Sequence, residues 1–282
     1  MCKSHITVQK FLKLLFEIEF YSVIIYAIFA LTGYQKFTLL GLLKAVMPIK
    51  NIDTGFASTF LVFYLFIPFL NILLKNLNEK MHLRLVALCL FIYTILGTIP
   101  KFPVTMNYVS WFIVIYFIAS YVRLYPKALF DKTKFWGLAA IACLFVSSLS
   151  IILSLYFGFG SYSLLSDSNR ILAVVTAFCA FMFFKNVSIP NNRFINTVAS
   201  ATFGVLLIHA NSDTMRQWLW KDTLHNVEVF NTSWCYLRFI CSALGVYVIC
   251  TCIDLIRIYC LEKSFFMFYD KKSPMAYNWF YS

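Results

Sequence analysis

One histidine closes an apolar segment, where an imidazole can take part in proton transfer. His209 directly follows Gly204–Ile208, whereas the sequence pattern puts His5, His82 and His225 in loops or a tail. An imidazole has an unperturbed pKa of about 6.5 and can act as a general base near neutral pH. The alternative is a structural role in which the ring bonds to a carbonyl or a lipid headgroup. The residue type alone favours this second interpretation.

Polar side chains inside the other apolar segments are further candidates. Burying such groups in hydrocarbon is costly unless they bond to a neighbour or serve a function. Asn71, Asn196, Asp254 and Arg257 are of this kind. Asp254 and Arg257 are three residues apart, so they can face each other on one helical turn. For this pair we favour a structural ion pair over a catalytic role.

The composition indicates what kind of element must position these residues. Of the 282 residues, 61% are hydrophobic, 19% are aromatic and only 13% are charged. Soluble domains contain about 25% charged residues, because a water-facing surface needs them. A soluble globular enzyme is therefore excluded, and so is a disordered chain, since apolar surface is abundant.

The charge and the cysteines exclude further classes of protein. The net charge is +12, but the basic residues lie between long apolar segments, which is typical of membrane loops, so no nucleic acid partner is expected. Most of the nine cysteines fall inside apolar segments, where a thiol behaves as a small hydrophobic side chain. We therefore expect neither a disulfide framework nor a metal site. Phosphate-binding loops, dinucleotide fingerprints and nucleophile elbows are absent from the sequence.

Eight apolar segments approach the length that a helix needs to cross about 30 Å of hydrocarbon. They lack the alternation of membrane strands, and helices satisfy their own backbone groups in lipid. The sequence therefore predicts an all-α fold, a polytopic membrane bundle of about eight transmembrane helices. It is predicted to form one domain over 1–282 that ends in a cytoplasmic tail at 261–282. The predicted helices are 12–32, 56–74, 84–99, 109–125, 135–158, 168–184, 195–211 and 234–260.

The basic residues also predict an orientation. If the N-terminus is cytoplasmic, most of the 24 basic residues, from Lys3 and Lys10 to Lys271 and Lys272, fall on the cytoplasmic side. Membrane proteins carry their excess of Lys and Arg in cytoplasmic loops. Both termini are therefore predicted to be cytoplasmic.

Three stretches of the chain resemble acyltransferase family 3, the bacterial integral membrane O-acyltransferases. In 196–209, Phe203-Gly204 leads to Ile208-His209, and Arg216 and Trp218-Leu-Trp220 follow, as in a late helix of that family. The stretch from Phe60 to Asn71 is similar to a Tyr-rich helix of the family that ends in Pro-x-Leu-Asn. The stretch from Trp111 to Arg123 is similar to a family helix with a Tyr-x-Arg motif.

One feature of that family has no counterpart in these 282 residues. Its members usually begin with two further helices, and the first of them carries an Arg and, some ten residues on, a His regarded as the catalytic base. Met1 aligns with what resembles the third helix, and an Arg-x10-His spacing is absent from the sequence. We therefore expect these residues alone to transfer acetyl groups at close to the background rate, because loss of a general base costs about 10²–10⁴-fold.

The resemblance implies an enzyme that moves an acyl group, usually acetyl, from acyl-CoA (acetyl-CoA) to a hydroxyl of a cell-surface polysaccharide or a lipid-linked glycan. No metal is implied. The chain is expected in the bacterial inner membrane, as a multi-pass protein in contact with the lipid bilayer and a glycan acceptor. The implied catalytic residues are His209 and Arg216. The implied substrate-binding residues are Tyr64, Asn71, Asn211 and Trp220.

Two alternatives remain open from the sequence. The first is a transporter or flippase for a glycan or lipid that performs no acyl transfer, for which an aromatic-rich membrane cavity would suit equally well. The second is an inactive homologue, or a subunit whose partner supplies the missing helices.

Overall fold

The computed structural model describes residues 8–47, 55–99, 102, 104, 107–158, 164–230 and 232–262. Within these ranges the regular structure is entirely helical and no strand occurs, so the all-α prediction is confirmed. The helices are α1 Val8–Leu31, α2 Leu39–Val46, α3 Phe56–Lys75, α4 Glu79–Leu90, α5 Tyr108–Leu124, α6 Thr133–Tyr156, α7 Ile171–Asn186, α8 Arg193–Ser200, α9 Thr202–His209, α10 Asp213–Arg216 and α11 Cys235–Arg257.

Several helices continue into or precede turns of different winding. α4, α10 and α11 pass directly into π-helical segments, and a short 3-10 turn precedes α6. π-Helical turns, which are wound more loosely than an α-helix, occur mostly as single turns within α-helices and often at functional sites. These segments are Phe91–Leu96, Gln217–Thr223 and Ile258–Glu262 for the π-helical turns and Ala128–Asp131 for the 3-10 turn.

Short polar side chains begin several of the helices. The Asn78 side chain accepts a hydrogen bond from the Met81 amide at the start of α4, and Asn107 does the same for Ser110 at the start of α5. Ser212 accepts from the Met215 amide at the start of α10. Such caps satisfy amides that have no partner within the helix. The caps therefore fix where these apolar helices begin.

Every predicted segment coincides with helix, but the predicted number of membrane spans is not confirmed. In the described residues four helices are long and apolar enough to cross a membrane, and a fifth span results if the bent pair 193–209 and 213–223 is counted as one. α5 and α7 are apolar but have only 17 and 16 residues. The residues that form the four long helices are Lys10–Leu31, Phe56–Lys75, Thr133–Tyr156 and Cys235–Glu262.

Contacts divide the chain into two compact units. The first contains α3 to α7, and the second contains α1, α2 and α8 to α11. In the first unit α4 and α3 both pack against α5, and α6 packs against α7. Two groups of buried apolar side chains form its core: Phe63, Leu70, Leu74, Val86, Phe117 and Tyr121, and then Val122, Trp136, Cys179 and Met182.

The second unit is built on α1, α9 and α11. α9 packs against both of the longer helices, and α2 folds back onto α1. Tyr26 in α1 donates a hydrogen bond to the Thr38 carbonyl, 2.8 Å away, which joins α1 to the start of α2. The predicted tail at 261–282 lies outside the described residues, except for Leu261 and Glu262 at the end of the last helical turn. The prediction of one domain over 1–282 stays a prediction.

Candidate functional site

A bent pair of helices in the second unit positions His209. α8 ends at Ser200, the fully buried Ala201 interrupts the helix, and α9 continues to His209. The chain then bends by 95° into the segment that begins at Asp213. The sequence predicted a continuous helix over 195–211, so the break at Ala201 was not foreseen. As a consequence of the bend, His209 lies at a corner, where a side chain can face away from its own helix.

The hydrogen bond of His209 defines its tautomer. Nδ1 lies 2.6 Å from the Val205 carbonyl oxygen, one turn back in α9. A carbonyl can only accept, so Nδ1 carries a hydrogen, and in the neutral imidazole Nε2 holds the lone pair. The ring is half-buried and meets the Trp220 ring edge-on, with centroids 6.4 Å apart. Nε2 is therefore the nitrogen that can accept a proton.

The other predicted residues of this unit lie close in sequence but do not bond to His209. Asn211 donates to the Leu207 carbonyl at 3.2 Å. Arg216 is exposed and forms an ion pair with the exposed Asp213, with Nη1 2.7 Å from Oδ1. Within the described residues no hydrogen bond joins Asn211 or Arg216 to His209. The structure thus places these three side chains on the two arms of one bend and leaves the Arg216 guanidinium facing solvent or headgroups.

Tyr64 and Asn71 belong to the first unit. Both lie on α3, where Tyr64 is half-buried. Asn71 Oδ1 accepts a hydrogen bond of 2.6 Å from the Tyr116 hydroxyl on α5. This bond joins the two stretches that the sequence singled out, 60–71 and 111–123. Its immediate effect is to pair α3 with α5.

A buried charge cluster between α1 and α11 is the main feature that sequence reasoning missed. The predicted pair is confirmed, with Arg257 Nε 2.7 Å from Asp254 Oδ1. The same oxygen accepts a hydrogen bond of 2.7 Å from the Tyr21 hydroxyl. A further nitrogen of Arg257, Nη2, lies 3.0 Å from Glu17 Oε1. One guanidinium therefore connects two long helices.

The cluster extends by two further residues. Arg257 Nη1 lies 2.7 Å from Glu262 Oε2, and Lys13 Nζ lies 2.6 Å from the other oxygen of Glu262. Three carboxylates thus face two cations, and we call these five side chains with Tyr21 the α1–α11 charge cluster. The signal in the sequence was the spacing of four between Lys13, Glu17 and Tyr21, which puts them on one face of α1.

His82 corrects the assignment of that histidine to a loop. It lies in α4 and is fully buried, and its Nε2 donates to the Phe117 carbonyl oxygen at 3.0 Å. Its ring also meets Tyr121 and Tyr125 edge-on. The sequence prediction was wrong because Glu79, Lys80 and Arg84 made the start of this helix resemble a loop. The contacts make His82 a packing residue between α4 and α5.

A polar contact also closes the second unit near the candidate site. Tyr34, after α1, donates a hydrogen bond to Asp222 in the π-helical turn that carries Trp220. This bond to the carboxylate raises the pKa of the Tyr34 phenol. No group of His, Cys, Asp and Glu side chains suited to a metal ion occurs among the described residues.

Comparison with known proteins identifies the family. The sequence model of acyltransferase family 3, described as an acyltransferase domain, matches residues 4–254. No curated protein and no solved structure matches the chain. The family match includes α9 with His209 and nearly all of α11, and it spans most of the 282 residues. The chain belongs to acyltransferase family 3.

Proposed function

We propose that the protein is a membrane O-acyltransferase that transfers an acetyl group from acetyl-CoA to a hydroxyl of a cell-surface polysaccharide or lipid-linked glycan. The tautomer of His209 is the observation that carries this proposal. Because Nδ1–H is bonded to Val205, Nε2 is left as the proton acceptor at the corner between α9 and α10. Family membership supports acyl transfer in general.

The chemistry requires a base, an oxyanion donor and a surface for the acceptor. His209 Nε2 takes the proton of the acceptor hydroxyl as its oxygen attacks the thioester carbonyl of acetyl-CoA, whose acetyl end enters the bundle from the cytoplasmic side. The C–S bond breaks, and His209 passes the proton to the CoA thiolate that leaves. Arg216 is held only by an exposed ion pair to Asp213, which is weak, so its guanidinium can turn to the developing oxyanion. Trp220, whose ring meets that of His209, offers an apolar face to a sugar.

Asn211 is proposed to contact the substrates beside His209, and no metal is proposed for this site. A substrate-binding role for Tyr64 and Asn71, on α3 of the first unit, stays a prediction from the family resemblance. We place the protein in the bacterial inner membrane with both termini in the cytoplasm, where acetyl-CoA is made. The charge asymmetry of the loops supports this orientation.

The first prediction concerns the base. His209→Gln should lower acetyl transfer by about 10²–10⁴-fold, the range for loss of a general base. The measurement is transfer of radiolabelled acetyl from acetyl-CoA to membrane glycan in membranes that contain the full chain. His225→Asn is the matched control, because the His225 side chain is exposed and its contact in the described part of the chain is with the exposed Glu228.

The two possible failures have different meanings. Transfer above background that survives His209→Gln would remove His209 from the mechanism. Wild-type transfer at background would contradict the enzymatic proposal and agree with the expectation drawn from the absent Arg-x10-His spacing.

A further inference from the structure

The second unit contains a large apolar cavity that extends along most of α11. Its volume is about 590 Å³, and its walls come from α1, α9, the segment after α10, and α11. Along α11 and the π-helical turn that follows it, the wall begins at Cys241 and ends at Leu261. These 20 residues correspond to about 30 Å of helix, which is the thickness of the hydrocarbon core of a bilayer.

The volume of the cavity suits one hydrocarbon chain. Benzene fills a cavity of about 150 Å³, which is about 25 Å³ per carbon atom, so this cavity admits roughly two dozen carbon atoms. A single lipid chain of about that size therefore fits the cavity.

The two ends of the cavity differ in chemistry. At one end Arg257 lines the wall, but its guanidinium is already paired with Glu17, Asp254 and Glu262, so it offers no free charge to a lipid phosphate. At the other end the wall includes Thr223 and Ser242. Thr223 belongs to the same π-helical turn as Trp220, which meets His209.

We propose that this cavity holds the single hydrocarbon chain that anchors the acyl acceptor, with the polar head of that lipid at the Thr223 end, beside His209. The inference rests on the proposed function and deepens it, because it selects a glycan carried on a single-chain lipid as the acceptor. Ile208, which precedes His209, itself forms part of the cavity wall. The lipid chain would therefore contact Ile208, the residue next to the proposed base His209 on α9.

Gly245 gives the means to test the cavity. It lies in the wall, and a Cβ built on it would meet nothing within 4 Å among the described residues. Gly245→Phe should therefore fill the cavity without disturbing the helices around it. Ala243→Phe is the matched control, because Ala243 is exposed on the same helix and is not part of the wall.

The experiment uses two photoactivatable lipids in membranes that contain the full chain. One is a prenyl phosphate of about 20 carbon atoms, the length that the volume admits, and the other is a two-chain phosphatidylcholine. We expect the prenyl phosphate to label cavity-facing residues of α11 such as Ile249 and Ile253. Gly245→Phe should lower this labelling about tenfold or more, because a side chain that occupies the cavity competes with the lipid for the same space. Ala243→Phe should leave the labelling unchanged. Ile249→Trp is a second filling variant and should act as Gly245→Phe does.

Three results would overturn the inference. They are labelling that both filling variants leave intact, labelling of the same residues by phosphatidylcholine to the same extent, and lipid labelling confined to surfaces outside the cavity. Acetyl transfer to a soluble saccharide distinguishes this failure from failure of the proposed function. Suppose that this transfer depends on His209 and is unchanged in Gly245→Phe, while the prenyl phosphate does not bind. The proposed enzymatic function is then supported, and the proposed lipid site is wrong.

Discussion

Arg257 shows how a charged residue is retained among apolar helices. Its side chain is almost fully buried, and its three donor nitrogens each meet a carboxylate, of Glu17, Asp254 and Glu262. Removing charges from water costs several kcal/mol per ion, and only close pairing with good geometry recovers it. Arg257 and its three carboxylate partners are therefore stable in this position only together. As a group they join α1 to α11.

The second prediction follows from this mutual dependence. Arg257→Met should destabilise the protein by about 3–5 kcal/mol, because it leaves carboxylates buried without a cation. A thermal unfolding curve in detergent should show the loss. The triple variant Arg257→Met, Asp254→Asn and Glu17→Gln should recover much of it, since no buried charge is then left unpaired. Arg238→Met, an exposed position on the same helix, is the control. Unfolding of Arg257→Met at the wild-type temperature would show that the cluster contributes no stability.

Sequence reasoning recovered only part of the cluster. Asp254 and Arg257 are three apart on one helix, so their contact follows from helix geometry alone. Glu17 and Tyr21 are more than 230 positions away from them, and their involvement depends on which face of α1 meets α11. No local sequence pattern predicts that this face of α1 packs against α11. His82 was missed for a related reason, because its burial is created by Tyr121 and Tyr125 of another helix.

At the scale of elements, Gly204 determines how closely α9 approaches α11. A Cβ added at Gly204 would overlap the Asp254 carboxyl group, which is fixed by Tyr21 and Arg257. Only a residue without a side chain allows the two helices to come this near. The Phe-Gly motif that the sequence shares with the family is thereby explained in this chain by packing.

The third prediction compares two glycines in helices. Gly204→Ala should destabilise the protein by about 1–3 kcal/mol, the usual cost of overpacking, because the Asp254 carboxyl group cannot move away cheaply. Gly245→Ala is the control and should stabilise it by about 0.5–1 kcal/mol, since its Cβ enters open space and alanine favours the helix. Unfolding temperatures measured side by side decide the matter. Equal temperatures for the two variants would mean that α9 and α11 do not need this close approach.

The apolar segments predicted the helices well, but not their internal breaks. Length and hydrophobicity fix where a helix occurs in lipid, and polar caps such as Asn78 and Asn107 fix where it begins. The break at Ala201 arises without proline or a charged residue beside it, and the π-helical turn at 217–223 arises without proline. They depend on what packs against α9 and α10, as in the burial of Ala201. At the corner beside His209, the sequence therefore signalled only the start of the next helix, through the capping residue Ser212.

At the scale of the whole molecule, helix length and loop charge lead to different numbers of membrane spans. Four long apolar helices and one bent pair satisfy the length requirement in the described residues. α5 and α7 fall short, because 17 and 16 residues extend only about 25 Å of the 30 Å needed. Short helices can still span where the bilayer thins or where flanking side chains reach the interface, at a cost of fractions of a kcal/mol per Å.

The last prediction is that α5, α7 and the segment that α4 forms with its π-helical turn, 79–96, also cross the membrane. With the four long helices and the bent pair this gives eight spans and two cytoplasmic ends. Arg123 lies in the last turn of α5 and Lys127 follows it. Lys132 and Lys134 precede or begin α6, and Lys185 lies in the last turn of α7. All of these cations belong on the cytoplasmic side if α6 and α7 form a hairpin that crosses and returns. A reporter that is active only outside the inner membrane should therefore be inactive when fused after Lys127 or Asn186. The same reporter should be active when fused after Ser166, in the connection between α6 and α7. Activity after Asn186 would mean that α7 does not return through the bilayer, and the prediction of eight spans would then be wrong.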